Sequence, residues 1–162
     1  MRQNNFDFLR FYFAFIVVVG HIIVVTDLDI FQPYAPFFNT YIPVTAFFCI
    51  SGFLISSSYT RNKSLSKYFK KRAARILPAY ILIIMLCAVF LSFISEYSFS
   101  EYFTNPQFFK YLLANLTFQN FIAPCLPGVF TGDNMIGCAV NGALWTLKIE
   151  VAFYIIVPLL FY

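Results

Sequence analysis

Two ionisable side chains flank an apolar stretch near the start of the chain, RFYFAFIVVVGH. Arg10 begins this stretch and His21 ends it, with ten residues between them. In an α-helix this spacing turns His21 to within about 20° of Arg10 and separates the two by about 16 Å along the axis. Ala14 and Val17 on the same face are modest in size. The pattern therefore predicts a groove with polar ends that could hold an elongated ligand.

Each of these two side chains also has an ordinary structural explanation. Arg10 could snorkel to the membrane edge and pair with Asp7, and His21 could be a core histidine bonded to a neighbouring helix. Ionisable groups inside a membrane are costly, however, and they indicate a functional site by default. The residues alone leave both explanations open.

Two more charges lie in the last apolar stretch. Lys148 and Glu150 are two residues apart, so they point to different faces, and we expect Lys148 to snorkel to the outer surface. Glu150 shares its face with Thr146 and Tyr154. The helical rise places Glu150 about 4 Å, and His21 about 6 Å, to the outer side of the midplane. If their faces meet, the carboxylate could hold one tautomer of His21 and leave the other ring nitrogen as a general base. Alternatively, the two groups only offset each other's burial.

The composition places these residues in a membrane protein. Of the 162 residues, 60% are hydrophobic and 11% are charged, whereas a soluble domain is about 45–50% apolar and about 25% charged. Four stretches approach the ~20 residues that cross a hydrocarbon core of ~30 Å. We therefore predict an all-α polytopic membrane protein with spans at about 8–25, 37–59, 76–94 and 143–162.

The distribution of basic residues predicts the orientation of these spans. Seven of the 11 Lys and Arg residues lie between Arg61 and Arg75, in a loop that we expect to face the cytoplasm. The segments TDLDIFQPYAP and SEYSFSEY, which follow spans one and three, contain none. Both termini are then cytoplasmic, in a bacterial inner membrane. A basic cluster beside apolar spans favours lipid headgroups over nucleic acid as its partner.

The long outer connection after span three has two predicted parts. Residues 105–121 have an Asn–Pro start and apolar residues at helical spacing, which predicts an amphipathic helix at the outer interface. An irregular loop rich in Pro and Gly follows, and Cys125 and Cys138 within it could form a disulfide. Cys49 and Cys87 lie within spans as small packing residues. No spacing of Cys and His indicates a metal site.

Four motifs together resemble those of a known family. The first is the spacing of Arg10 and His21, and the others are AFFCISGFLIS, FKKRAARILPAY and NGALWTLKIEVAFYIIVPLL. In this order they resemble the membrane acyltransferase-3 family, including its Trp-Ser-Leu-x-x-Glu helix, although Thr146 stands where Ser is common. The resemblance covers most of the chain.

The resemblance implies transfer of an acyl group, often acetyl, from an acyl-coenzyme A donor to a sugar hydroxyl of a cell-surface glycan or lipid-linked acceptor. Carried over by motif, His21 and Glu150 are the catalytic residues, and Arg10, Arg72 and Arg75 bind the donor. His21 is either the base or a carrier of the acyl group. For the two arginines of the basic loop, binding of lipid headgroups is the alternative.

The resemblance also implies that more chain is needed for activity. The family's domain is a larger bundle of about ten helices, whose facing helices build the ligand site. The sequence resembles the N-terminal portion of such a domain, so we expect an enzyme that is incomplete as given. The alternatives are a non-catalytic membrane fragment or interaction subunit and, from a different class, a proton pathway through His21 and Glu150.

Overall fold

The computed structural model describes residues 5–26, 28–61, 64–132 and 137–161. Within these ranges the chain is helical and forms no strand, only one antiparallel bridge between Cys125 and Ala139. Four of the described helical segments are long and apolar enough to cross a membrane. They confirm the predicted all-α polytopic membrane protein. The chain divides into two compact units, with the boundary after Arg61.

The first unit contains two long α-helices and one 3₁₀ helix. Helix α1 spans Phe6–Thr26, so it is slightly longer at both ends than the predicted span of 8–25. Helix α2 spans Tyr41–Arg61, so it is shifted toward the C-terminus relative to the predicted span of 37–59. A 3₁₀ helix, Asp29–Phe38, occupies most of the segment that we expected to be the outer loop after span one. It packs against α1. Pro33 and Pro36 lie inside it, and each lacks the N–H group that would donate an i to i+3 hydrogen bond.

The second unit begins with the longest helix, and here the sequence-based prediction was wrong. Helix α3 spans Leu65–Phe90 and continues as a 3₁₀ helix, Leu91–Ile94. The outer end agrees with the predicted span of 76–94, but the basic residues from Lys67 to Arg75 lie in helix rather than in a loop. Lys and Arg form helices almost as well as Ala, so the charges that end an apolar stretch do not end the helix.

Three further helices complete the second unit. Helix α4 spans Phe99–Thr104, helix α5 spans Pro106–Leu116, and helix α6 spans Trp145–Leu160 after a 3₁₀ turn, Gly142–Leu144. The amphipathic helix predicted within residues 105–121 is therefore present as α5, and it packs against α3.

The starts of α4 and α5 follow local capping rules. Ser98 and Glu101 form a capping box at α4, and the hydrogen bonds from the Ser98 side chain and backbone lower the pKa of the Glu101 carboxyl. The Asn105 side chain accepts from the Gln107 backbone at α5, where Pro106 takes the first helical position. The Ser-x-x-Glu pattern was visible in the sequence and could have predicted α4.

Buried polar contacts tie the outer loop to α3. The Tyr80 hydroxyl donates to the Asn115 backbone oxygen at 2.7 Å, and the Tyr80 ring stacks on Phe118 at 4.4 Å. The Asn115 side chain in turn donates to the backbone oxygens of Tyr111 and Ala123. Because a buried amide that lost these partners would remain unsatisfied, the network fixes the path of the chain after α5.

The possible disulfide is present. Cys125 and Cys138 are bonded, with their Cα atoms 5.2 Å apart and a sequence separation of 13. The Val140 N–H donates to the Pro124 oxygen beside the bond at 3.0 Å. The two described parts of the outer loop are thus joined covalently and by backbone hydrogen bonds.

We expect Cys125→Ser to destabilise the complete protein by about 3 kcal/mol, since a closed loop of this size restricts the unfolded chain by about that amount. Thermal unfolding in detergent under non-reducing conditions measures the loss. Cys49→Ser is the matched control, because Cys49 is a free and exposed thiol. Equal melting temperatures for the two variants would contradict a stabilising disulfide.

Candidate active site

The five predicted site residues divide between the two units. The first unit holds Arg10 and His21, both on α1. The second holds Arg72 and Arg75 on α3 and Glu150 on α6. The structure therefore provides two sets of functional groups, each with its own surroundings.

Arg10 lies against an aromatic side chain of α2. Its guanidinium carbon is 5.1 Å from the centroid of the Phe47 ring, and the side chain is half-buried. Such a contact holds a cation by the negative face of the ring without neutralising its charge. Phe47 belongs to the motif AFFCISGFLIS, so two of the sequence motifs meet at this contact.

His21 lies about three turns along the same helix, and its surroundings define its tautomer. The side chain is exposed, and Nδ1 lies 2.7 Å from the backbone oxygen of Val17. Because a carbonyl oxygen only accepts, the neutral ring carries its proton on Nδ1 and leaves the lone pair on Nε2. The Val17 carbonyl thus makes the hydrogen bond that our hypothesis assigned to Glu150. A base or nucleophile at this position would act through Nε2.

The residue before His21 has room for no side chain. A Cβ atom on Gly20 would lie 2.5 Å from the Phe38 backbone oxygen and 2.8 Å from Cγ2 of Thr40. The end of the 3₁₀ helix therefore touches α1 directly at this point, next to a cavity of about 240 Å³. This contact fixes the outer end of α1, where His21 is located.

We expect Gly20→Ala to destabilise the complete protein by about 1–3 kcal/mol, the usual cost of overpacking. The new methyl group must push the Phe38 backbone or α1 away by several tenths of an ångström. Gly52→Ala is the matched control, since nothing lies within 4 Å of its Cβ position. Thermal unfolding in detergent measures the loss, and equal melting temperatures for the two variants would refute it.

In the second unit, Arg72 is flanked by two tyrosine rings. Its guanidinium carbon lies 5.6 Å from the centroid of Tyr68, one turn earlier on α3, and 5.5 Å from that of Tyr154 on α6. Arg75 is exposed three residues later, at a neighbouring position of the same helix face. Guanidinium groups bind phosphates in a bidentate manner, so this end of α3 offers an anion-binding surface.

Glu150 is buried and has a clear partner. The side chain is 9% exposed, and its Oε1 accepts a hydrogen bond of 2.7 Å from the Tyr154 hydroxyl, four residues later on α6. The shared face of Glu150 and Tyr154 that the sequence predicted is thus a direct contact. A buried carboxylate with one hydrogen bond retains further lone pairs for a substrate or another side chain.

Tyr154 brings Glu150 close to the basic end of α3. Its ring contacts Arg72 while its hydroxyl contacts Glu150, so one side chain separates the arginine from the carboxylate. From the sequence, the basic residues predict a cytoplasmic position for Arg72, and the helical rise predicts a position just beyond the midplane for Glu150.

Tyr68 was not singled out from the sequence, although its spacing to Arg72 is i to i+4, which signals neighbours on one helix face. The contact of Arg72 with Tyr154 joins two different helices, so no spacing in the sequence indicates it. Nor did the sequence reveal the surroundings of Lys148: its ammonium lies 4.2 Å from the centroid of the Phe121 ring in the outer loop.

Metal coordination has no candidate in the part of the chain that the structure describes. Among those residues no group of three or more His, Cys, Asp or Glu side chains lies close enough to hold an ion.

Comparisons with known proteins place these residues in context. An acyltransferase domain family matches residues 3–162. An O-acetyl transferase of Shigella phage Sf6 is 30% identical over 96% of this chain and 45% of its own length. Nodulation protein 10 of Rhizobium leguminosarum bv. viciae is 31% identical over 98% of this chain and 44% of its own length. The chain thus spans less than half the length of these relatives. No solved structure matches it.

Proposed function

Since this chain belongs to the acyltransferase-3 family, we propose that it is part of a membrane O-acyltransferase that moves an acyl group, acetyl in the first instance, from acyl-coenzyme A to a carbohydrate hydroxyl at the cell surface. The observation that carries the proposal is His21 with its lone pair on Nε2, on the same helix as an arginine held by an aromatic ring. Acyl transfer from acyl-coenzyme A requires a base or nucleophile that is held in a fixed orientation. It also requires cationic groups that bind the phosphates of the donor.

We assign binding of the acyl-coenzyme A donor to the arginines. Arg72 and Arg75 lie on the first turns of α3, and Arg10 lies near the start of α1. Arg72 and Arg75 belong to the basic segment that predicts the cytoplasmic side of the membrane. Guanidinium groups bind phosphates in a bidentate manner, and the two tyrosines beside Arg72 limit its motion.

We assign the chemistry to His21 and Glu150. As a base, Nε2 of His21 takes the proton of the sugar hydroxyl while the oxygen attacks the thioester carbonyl. The C–S bond then breaks, and the proton passes to the departing sulfur, so that free coenzyme A and the ester are formed. As a carrier, Nε2 itself attacks the carbonyl, the C–S bond breaks, and coenzyme A leaves as the thiolate. The sugar hydroxyl then attacks the acyl group, the C–N bond to Nε2 breaks, and the proton of the hydroxyl passes to the thiolate. Glu150 is the second group that we assign to the transfer step, with its carboxyl group held by the Tyr154 hydroxyl.

A non-catalytic membrane subunit is the second candidate. It is favoured by the exposure of His21. In that case the motif residues would contribute to folding or assembly only.

Expression of the complete coding sequence in a host without surface O-acetylation separates the two candidates. We expect base-labile acetate to appear on the envelope polysaccharide, measured by NMR of the purified polymer. The empty vector is the control. Normal amounts of membrane protein with no ester on any envelope polymer would overturn the enzyme assignment and favour the subunit.

A further inference from the structure

One tyrosine in the second unit touches both kinds of functional group. The Tyr154 ring lies 5.5 Å from the Arg72 guanidinium carbon, and its hydroxyl donates to Oε1 of Glu150 at 2.7 Å. The side chain is 5% exposed, so both contacts are protected from water. Neither contact depends on the other chemically, because the first uses the face of the ring and the second uses the hydroxyl.

The two contacts constrain different groups. The ring completes a pair with Tyr68, which contacts Arg72 from its own helix at 5.6 Å. Contacts with two rings restrict the rotation of the guanidinium group, and a fixed orientation favours bidentate binding of a phosphate. The hydroxyl, in contrast, fixes the rotation of the Glu150 carboxyl group inside an apolar helix, where few other partners could orient it.

We propose that Tyr154 is a positioning residue with two separable contributions: its ring holds Arg72 in place for the donor phosphates, and its hydroxyl orients the Glu150 carboxylate for the transfer step. The proposal rests on the proposed function and adds a residue to it. Tyr154 itself takes no proton from the substrate and forms no bond with it.

The two contributions predict different results for two substitutions. Tyr154→Phe keeps the ring and removes the hydroxyl, so turnover should fall about tenfold or more, the value of a hydrogen bond to a charged group. Affinity for coenzyme A should change less than about twofold. Tyr154→Leu removes both contacts, so it should lower turnover similarly and also weaken coenzyme A binding by about 3–10-fold.

Two measurements on the complete protein read out these effects. Binding of unacylated coenzyme A is followed by calorimetry in detergent, and turnover is followed in membrane vesicles as label passing from radioactive acetyl-coenzyme A to polysaccharide. Tyr68→Leu should weaken binding without lowering turnover at saturating donor. Tyr80→Phe is the matched control, because it removes a hydroxyl with an equally short hydrogen bond, to the Asn115 oxygen, elsewhere in the same unit.

The coupling of Tyr154 to Glu150 has its own test. If the hydroxyl acts only through the carboxylate, Tyr154→Phe should have no further effect on turnover in a Glu150→Gln background. Wild-type turnover in Tyr154→Phe would overturn the proposal, and so would an equal loss of coenzyme A binding in the Phe and Leu variants. If the wild-type protein itself neither binds coenzyme A nor transfers label, the proposed function fails instead.

Discussion

Replacement of His21 with alanine will abolish acyl transfer and leave donor binding unchanged. In the neutral imidazole the Val17 carbonyl holds the proton on Nδ1 and leaves the lone pair on Nε2 for the reaction. Positioned general acid–base catalysis contributes about 10²–10⁴-fold to a rate, so a loss of at least a hundredfold is expected. Incorporation of labelled acetate into polysaccharide by membrane vesicles measures it.

The loss should depend on the chemistry of the side chain and not on its volume. His21→Gln restores size and hydrogen bonding without a basic nitrogen, so it should remain inactive. Ile22→Ala is the matched control, since Ile22 is the next residue on α1 and is also exposed. It should transfer at the wild-type rate. A His21→Ala protein that retains transfer within about threefold of wild type, at equal membrane levels, would exclude His21 as base or carrier.

Arg72→Ala should weaken the binding of coenzyme A by about 10–100-fold. A charge-assisted hydrogen bond contributes about 1.5–3 kcal/mol, and the two tyrosine rings show that this guanidinium is held in one place. Arg72→Lys keeps the charge and loses the planar fork, so an intermediate affinity is expected. Calorimetric titration of the complete protein with coenzyme A measures all three affinities.

The neighbouring lysine distinguishes specific binding from bulk charge. Lys71 is exposed and adjacent to Arg72, and no ring contact constrains it in the described structure. Lys71→Ala removes the same charge, so it should change the affinity for coenzyme A less than about twofold if binding is specific. Equal losses for Lys71→Ala and Arg72→Ala would mean that this end of α3 attracts anions only through its net charge, as a headgroup-binding segment does.

The membrane architecture could be predicted because it depends on local patterns. Apolar length located the four crossing segments, and an Asn–Pro start located the beginning of α5. The basic segment was predicted to be a loop because its low hydropathy marks the end of a membrane-spanning stretch. Low hydropathy does not mark the end of a helix. Helix α3 therefore begins at Leu65, eleven residues before its predicted start at Ile76.

The surroundings of the site residues were less predictable because they depend on contacts between distant parts of the chain. The face shared by Glu150 and Tyr154 followed from spacing, but the position of Arg72 against Tyr154 joins α3 to α6 across the outer loop. Similarly, the absence of a side chain at Gly20 matters only because the Phe38 backbone approaches it. Neither approach leaves a periodic signal in the sequence.

The side of the membrane from which the donor is taken tests the account most directly. Sealed vesicles of the complete protein can be prepared in both orientations and supplied with radioactive acetyl-coenzyme A from outside. The account predicts label in polysaccharide only when the cytoplasmic face, and with it the basic end of α3, meets the donor. Equal labelling in both orientations, or labelling only from the opposite face, would contradict it.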